Sequence, residues 1–197
     1  MLINWKLREL NLKLVYYGPA FSGKTTNLIH IHSRVAPERR SNLVSLKTQE
    51  DRTLYFDFLQ LELGKINGLT PKIHLYTVPG QAIYESSRRL VLRGADGVVF
   101  VADSGAQRLE DNIDSWKKMQ DHLSSFGIYT VRFPTVVQFN KRDDPHALES
   151  SEIAKELGVN GFPTFESVAT KGEGVFETLK SIIGSVMSNL QRELTKA

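Results

Sequence analysis

Residues 18–26, GPAFSGKTT, constrain this chain most strongly. They match G-x-x-x-x-G-K-[ST] and lie between an apolar strand-like run, LKLVYYG, and a helix-periodic run, NLIHIHSRV. In such a loop Gly18 and Gly23 let successive backbone N–H groups face one concavity, and the helix that follows adds its positive N-terminal end. The ammonium group of Lys24 reaches the β and γ phosphates of a nucleotide, and the hydroxyl of Thr25 ligates magnesium. The stretch therefore predicts a strand–loop–helix unit that binds a nucleoside triphosphate.

Apolar strand-like runs alternate with helix-periodic stretches along the chain, which is typical of an α/β sheet covered on both faces. The second and third runs are joined by GKINGLTP and predict a hairpin near one edge, whereas GVVFVADS is apolar enough for a buried central strand. We expect an α/β P-loop NTPase fold, with a mostly parallel six-stranded sheet between helices, formed by residues 1–197 as one domain. The predicted strands are 12–18, 53–63, 72–78, 97–104, 134–141 and 165–170.

Composition excludes several classes of protein. Hydrophobic residues make up 41% of the 197 residues and charged residues 24%, as in ordinary globular domains. No apolar run approaches the ~20 residues of a membrane span, there is no cysteine, and the chain ends QRELTKA without a lipid site, so we expect a cytoplasmic protein with no integral membrane association. The net charge is only +3 and the basic residues are scattered, so we do not expect nucleic acid as a partner.

The stretch NKRD, residues 140–143, ends the fifth predicted strand and indicates which base is bound. The carboxylate of Asp143 can accept hydrogen bonds from N1–H and the exocyclic amine of guanine, whereas adenine would leave it unpaired. Asn140 can bond the base and the loop, and the alkyl stem of Lys141 can cover the ring face. A second stretch, SVAT, ends the sixth strand, and we assign Val168, Ala169 and Thr170 to the same site, with a backbone N–H near Ala169 directed at the guanine oxygen.

The stretch TVPGQ, residues 77–81, has a threonine where a nucleotide switch usually carries the aspartate of D-x-x-G. Pro79 removes only its own N–H donor, so Gly80 keeps the N–H that can meet a γ-phosphate. Thr77 can offer an oxygen to a magnesium-bound water, but without negative charge. We therefore expect a weaker or more state-dependent metal site rather than loss of the reaction.

The ordered set GPAFSGKT, RTLYF, PGQ, NKRD and VAT resembles the Ras-like small GTPases over nearly the whole chain. Within that group, YYGPAFSGKTTNL, DRTLYFDFL, HLYTVPGQ, RGADGVVFVADS and GVFETLK are similar to the bacterial MglA (mutual gliding) proteins, in which the magnesium-side aspartate is also a threonine. The resemblance implies a Ras-like G domain that binds GTP or GDP with Mg²⁺ and hydrolyses GTP slowly. It also implies a roadblock-type homodimer as activating partner and a role in cell polarity or motility.

Residue by residue, the resemblance assigns catalytic roles to Lys24, to Gln81, which orients the attacking water, and to Arg52, an arginine supplied in cis. Thr53 becomes the first-switch threonine and joins Thr25 as a magnesium ligand, although Thr48 is a second threonine in that segment. Without the resemblance, Arg52 is equally well an exposed arginine paired with a neighbouring acid. The remaining nucleotide contacts that we assign are Phe21, Ser22 and Thr26.

Two alternatives stay open on the sequence alone. The first is a P-loop kinase or ATPase in which Asp103, at the end of VVFVAD, is the magnesium acid; it would show no preference for guanine. The second is a scaffold that binds GTP without turnover. A further hypothesis concerns QAIYESSRRL, which can place Tyr84, Arg88 and Arg89 on a helix surface that faces a partner.

Overall fold

The structure is a computed structural model, and it describes residues 2–47, 53–66, 68–80 and 84–196. Within these ranges the strands are β1 (Leu2–Asn4), β2 (Glu9–Tyr17), β3 (Val44–Lys47), β4 (Thr53–Glu62), β5 (Thr70–Thr77), β6 (Gly97–Asp103), β7 (Thr135–Asn140) and β8 (Thr164–Ser167). The α-helices are α1 (Lys24–Arg34), α2 (Glu85–Leu92), α3 (Leu109–Ser124), α4 (Ser150–Leu157) and α5 (Val175–Lys196), with short 3₁₀ turns at Pro37–Arg39, Ala106–Arg108 and Thr130–Arg132.

The described strands form one sheet in the order β3-β4-β5-β2-β6-β7-β8, and β1 pairs with the start of β2. Strands β5, β2, β6, β7 and β8 run parallel, whereas β1, β3 and β4 join antiparallel. All six predicted strands are present, and the predicted hairpin is the antiparallel pair β4–β5. The sequence missed β1 and β3, which are too short, at three and four residues, to show a strand period.

Buried side chains form a separate core on each face of the sheet. Strand β2 serves both cores because successive side chains alternate: Leu14 and Tyr16 face α1 and α5, while Val15 and Tyr17 face α2, α3 and α4. All seven residues of β6 are buried, as its continuous apolar run predicts for a central parallel strand. Within the described ranges, none of the helices is both long enough and apolar enough to span a membrane.

The parallel strands bring their carboxyl ends to one edge of the sheet. The phosphate loop follows β2, Val78–Gly80 follow β5, Ser104 follows β6, Lys141 follows β7 and Val168 follows β8. In open α/β sheets ligands bind outside this edge. Four stretches that are far apart in sequence, GPAFSGKTT, TVPG, NKRD and SVAT, therefore lie next to one another.

Candidate nucleotide site

The phosphate loop is held by close contact with the base-binding strand. Gly23 has a φ of 99°, and a Cβ atom there would stand 2.1 Å from Nδ2 of Asn140. The same amide of Asn140 donates a 2.7 Å hydrogen bond to the carbonyl of Ser22, whose side chain is buried beneath the loop. Glycine is required at Gly23 because both the left-handed backbone and the lack of space exclude a side chain. Phe21, also left-handed with a φ of 63°, is 65% exposed at the mouth of the loop.

Lys24 is a buried cation in a positively charged environment. Its Nζ donates hydrogen bonds to the carbonyls of Gly18 (3.0 Å) and Pro19 (2.6 Å). Burial is the largest cause that lowers the pKa of its ammonium group to about 7, and the charge of Arg88 is the next. The charge of Asp57 raises this pKa, and Arg108 lowers it by a smaller amount. An anion at this position restores the charged form of lysine, since a neighbouring opposite charge raises its pKa. The loop is therefore electrostatically suited to a phosphate group.

Two arginines outside the predicted site reach the phosphate loop and the stretch after β5. Arg88 is buried; its Nε donates a 2.8 Å hydrogen bond to the carbonyl of Pro79, and its Nη2 also contacts the carbonyl of Gly80. From the start of α3, Arg108 donates from Nη2 to the carbonyl of Ala20 at 2.8 Å. The hypothesis that Arg88 lies on an exposed surface was therefore wrong. The missed signal is its spacing, three and four residues before the buried Val91 and Leu92, which places it on the inner face of α2.

Thr77 is fully buried, and it is bonded to an acid that sequence analysis missed. Its hydroxyl donates to Oδ2 of Asp57 at 2.7 Å and accepts the Asp57 backbone N–H at 2.8 Å. Thr25 donates to the same carboxylate oxygen at 2.5 Å, and Ser45 contacts Oδ1. Asp57 is 0% exposed on β4, two positions before the buried Leu59. An acid on the buried face of an alternating strand was the available signal.

The oxygen atoms around Asp57 have the chemistry that magnesium requires. Mg²⁺ takes oxygen ligands and typically uses one or two carboxylates, waters and substrate phosphates. A buried carboxylate that joins the hydroxyls of Thr25 and Thr77 beside Lys24 supplies such a set. This one carboxylate with its hydroxyls is the candidate metal site. Among the described residues, no group of three or more acidic, histidine or cysteine side chains could hold a metal ion. Thr53, the other predicted ligand, begins β4, but its side chain lies outside the described part of the structure.

The predicted base-binding residues surround one cavity of about 420 Å³. Asn140 is buried at its edge, and its Oδ1 accepts hydrogen bonds from the hydroxyl of Ser167 and the backbone N–H of Ala169, both at 3.0 Å. We expected this Ala169 N–H to be directed at the guanine oxygen, but in the structure Asn140 accepts it instead. Asp143 remains accessible at the cavity, 3.8 Å from the ammonium group of Lys171. The predicted residues that line the cavity are Phe21, Gly23, Thr26, Asn140, Lys141, Asp143, Val168, Ala169 and Thr170.

Asp103 lies on the base side of the site. Its buried carboxylate accepts a 2.7 Å hydrogen bond from Nζ of Lys141 and a 3.1 Å bond from the N–H of Gly105, and it lies 3.8 Å from Nε of Arg108. The hydroxyl of Thr25 is bonded to Asp57 instead. This geometry does not support the alternative in which Asp103 is the magnesium acid.

A buried amide network, which sequence analysis also missed, connects the phosphate loop to the base-binding strand. Asn27 of α1 donates to the carbonyl of Gly23 at 3.0 Å and exchanges hydrogen bonds of 2.9 and 3.1 Å with Gln138 of β7. Gln138 also donates to the hydroxyl of Thr178 on α5 at 3.0 Å. Buried polar networks of this kind fix the relative position of the elements they join when every member is paired.

Two predicted catalytic residues, Gln81 and Arg52, lie outside the described residues, as does Thr48. The residue before Gln81 is described, and it packs on the phosphate loop. A Cβ atom on Gly80 would stand 2.4 Å from Cα of Ala20, so only glycine permits this approach. The backbone that leads into Gln81 therefore lies against the loop.

Comparison with known proteins agrees with this geometry. The profile of the ADP-ribosylation factor family matches residues 1–186. The mutual gliding-motility protein MglA of Myxococcus xanthus is 47% identical over 190 residues, which cover 96% of this chain and 97% of that protein. The chain belongs to the MglA-type small GTPases of the ADP-ribosylation factor family.

Two more distant relatives of this small GTPase are an ADP-ribosylation factor-like protein and a Ras-related protein. ADP-ribosylation factor-like protein 4D of Bos taurus is 33% identical over 154 residues, 78% of this chain and 69% of that protein. Ras-related protein Rab-5B of Plasmodium falciparum is 24% identical over 188 residues, 95% of this chain and 83% of that protein. The predicted MglA-type family, the P-loop α/β fold and the GTPase activity are thereby confirmed.

Proposed function

We propose that this small GTPase is a guanine-nucleotide switch that binds GTP and GDP with Mg²⁺ and hydrolyses GTP slowly on its own, with residues 1–197 acting as a single G domain. The observation that carries the proposal is the arrangement along the carboxyl edge of the sheet. Buried Lys24 with its neighbouring arginines lies at one end, and the cavity with Asp143 lies at the other. This arrangement matches a ligand that carries phosphates at one end and a base at the other.

Guanine selectivity rests on Asp143 and the residues around Asn140. The Asp143 carboxylate pairs with N1–H and the exocyclic amine of guanine, and an adenine base would leave that carboxylate without donors. Asn140 fixes the cavity wall by bonding Ser22 on one side and Ala169 on the other. Lys141, held by Asp103, covers a face of the base with its alkyl stem.

Magnesium would be held by Thr25 and Thr53, with Asp57 and Thr77 bonding its water ligands. Bound there, the ion neutralises charge on the β and γ phosphate oxygens. Asp57 supplies the negative charge that Thr77 lacks, and its bond to Thr25 supports that role. We therefore no longer expect Thr77 to weaken the metal site, because β4 contributes the acid instead of β5.

For hydrolysis, Gln81 orients the attacking water, Lys24 stabilises phosphate charge, and Arg52 is the arginine supplied in cis. Catalysis of this type is mostly positioning and electrostatics, so turnover is slow until these groups are held in place. Arg88 acts as a positioning residue, since it binds the two carbonyls that immediately precede Gln81. We propose that a roadblock-type homodimer is the activating partner. We also propose that the switch acts in the cytoplasm and controls motility or cell polarity. The Myxococcus relative is named as a gliding-motility protein, which supports the link to motility.

The test is nucleotide exchange and single-turnover hydrolysis with GTP, ATP and XTP. We expect GTP turnover only, slow alone and faster with a roadblock-type partner, and we expect Asp143→Asn to shift preference from guanine to xanthine, whose 2-oxo group accepts from the new amide. Asp144→Asn, the adjacent acid in the same cavity, is the matched control and should keep guanine preference. ATP turnover at the GTP rate would refute guanine selectivity. Tight GTP binding without turnover under any condition would favour the scaffold alternative.

A further inference from the structure

Two turns at the end of the sheet away from the nucleotide site expose apolar side chains next to each other. The β1–β2 turn exposes Trp5 (73%) and Leu7 (59%), and the β4–β5 turn exposes Ile66 (42%). Trp5 and Ile66 line one cleft of about 720 Å³, whose inner wall includes Leu69 and Leu190. Clustered exposed apolar side chains mark contact surfaces. The hairpin-tip patch consists of Trp5, Lys6, Leu7, Arg8, Lys65 and Ile66.

The backbone of the patch is fixed by its own hydrogen bonds. Arg8 adopts a left-handed conformation with a φ of 54°, and its carbonyl accepts a 2.8 Å bond from the N–H of Thr70 on β5. In the other turn, Ile66 and Leu69 exchange backbone hydrogen bonds of 2.8 and 3.0 Å. A non-glycine residue in this conformation is uncommon. The exposed side chains are therefore displayed by two structured turns that are tied to the same sheet.

The patch carries positive charge together with its apolar side chains. Its three basic side chains are all exposed. In the described part of the chain, the acids nearest to it in sequence, Glu9 and Glu62, both lie beside Lys72. Glu9 forms a 2.6 Å ion pair with Lys72, and Glu62 is its partner in the β4–β5 register. The basic groups of the patch are therefore not neutralised by these acids.

We propose that the hairpin-tip patch docks the protein on the surface of an anionic lipid bilayer. Tryptophan prefers the headgroup level of a bilayer, aliphatic side chains enter the acyl boundary, and Lys and Arg are attracted to anionic lipids. A nucleic acid would attract the same basic groups but would leave Leu7 and Ile66 in water. The nine residues of β2, about 30 Å of strand, separate the patch from the phosphate loop, so docking leaves the nucleotide site accessible. This inference does not depend on the proposed function.

The chain contains its own spectroscopic probe for the test. It has two tryptophans; Trp116 is 5% exposed within a core, so a change in emission on vesicle binding reports Trp5. Full-length protein is mixed with vesicles of phosphatidylcholine alone or of phosphatidylcholine with phosphatidylglycerol. We expect flotation with the anionic vesicles, a blue shift of tryptophan emission and loss of binding at high salt, because salt screens the lipid charge. Absence of binding, or equal binding to neutral vesicles, would overturn the proposal.

Two variants separate the charged and apolar contributions, and one variant is a matched control. Lys6→Glu with Lys65→Glu should lower the partition coefficient at least about 25-fold, from about 5-fold for each basic residue removed. Leu7→Ser with Ile66→Ser, which keeps Trp5 as the reporter, should reduce the blue shift, and all variants should keep nucleotide binding.

The control changes apolar residues that are equally exposed elsewhere, Tyr129→Ser with Val131→Ser (68% and 81% exposed), and should bind vesicles like the wild type. Loss of vesicle binding in this control would overturn the proposal. A patch-dependent dimer in light scattering, or patch-dependent binding of nucleic acid, without vesicle binding would also overturn it, by assigning the patch to that partner.

Discussion

We expect Lys24→Met to stabilise the nucleotide-free protein at neutral pH while it removes nucleotide binding. Lys24 is 6% exposed, and burial, followed by the charge of Arg88, lowers the pKa of its ammonium group from 10.5 to about 7. A group that binds its proton more weakly in the folded state destabilises the fold wherever the unfolded chain is protonated. That destabilisation is complete below pH 7 and is relieved as the pH rises from about 7 towards 10.5.

The size of the effect follows from that pKa. The difference between 10.5 and about 7 corresponds to about 4 kcal/mol of lost stability at pH 7 and about 2 kcal/mol at pH 9. Methionine also forfeits the hydrogen bonds to the carbonyls of Gly18 and Pro19, at a net value of about 1 kcal/mol each. The variant should therefore be about 2 kcal/mol more stable than the wild type at pH 7 and nearly equal to it at pH 9.

Urea unfolding of nucleotide-free protein across this pH interval measures the effect. Lys141→Met is the matched control, because Lys141 is 39% exposed and ion-paired with Asp103 at 2.7 Å, so its loss should lower stability. If Lys24→Met is less stable than the wild type at neutral pH, or follows the same pH dependence, the buried-charge argument is refuted. Fluorescent GDP binding checks that nucleotide affinity is lost at the same time.

Three further substitutions test the residues that sequence analysis missed. Asp57→Asn should weaken Mg²⁺ about 10–100-fold in a titration of magnesium-dependent nucleotide retention, whereas the exposed Glu62→Gln on the same strand should not; equal effects would refute the role of Asp57. Arg88→Met should slow single-turnover GTP hydrolysis at least about tenfold with little change in GTP affinity, because it releases the backbone before the catalytic glutamine, and the exposed neighbour Arg89→Met is its control. Gln138→Leu should lower the free energy of unfolding in urea by about 1–3 kcal/mol, because it leaves the buried amide oxygen of Asn27 without its donor and removes one of the hydrogen bonds of Thr178; an unchanged value would contradict that network.

Local sequence patterns predicted the features that depend on single segments. The apolar run of β6 and the phosphate loop between β2 and α1 both contain their signal within about 15 residues, and the structure has both. The parallel order of the strands also predicted that NKRD and SVAT meet the loop at one edge of the sheet, since parallel strands bring their carboxyl ends together. Strand ends were less well predicted: 165–170 was expected as a strand, but β8 ends at Ser167, where the backbone turns.

Pairings across elements could not be predicted from these patterns. Asp57 and Thr77 are bonded because β4 and β5 are adjacent, and 20 residues separate them in sequence. The polar composition of α2 suggests that Arg88 lies on an exposed helix face. Arg88 is nevertheless buried, because carbonyls of the preceding loop accept hydrogen bonds from its guanidinium group. Each case required the rule that buried polar groups have partners, and the partner belongs to the tertiary structure rather than to a local period.

The location of Asp57 changes what the Thr77 substitution means for a switch. In the D-x-x-G arrangement the acid follows the strand equivalent to β5, which is paired with β2 along eight positions here. Asp57 instead belongs to β4, which is antiparallel, lies further from β2 in the sheet and begins only four residues earlier, at Thr53. A carboxylate that serves magnesium from this strand couples metal binding to the position of β4, the strand that Thr53 begins. The double variant Thr77→Asp with Asp57→Asn moves the acid back to β5. It should therefore recover the magnesium affinity that Asp57→Asn alone loses. Its magnesium affinity should differ less between the GTP-bound and GDP-bound forms than that of the wild type. If magnesium affinity differs between the GTP-bound and GDP-bound forms by the same factor in the wild type and in the double variant, this coupling is refuted.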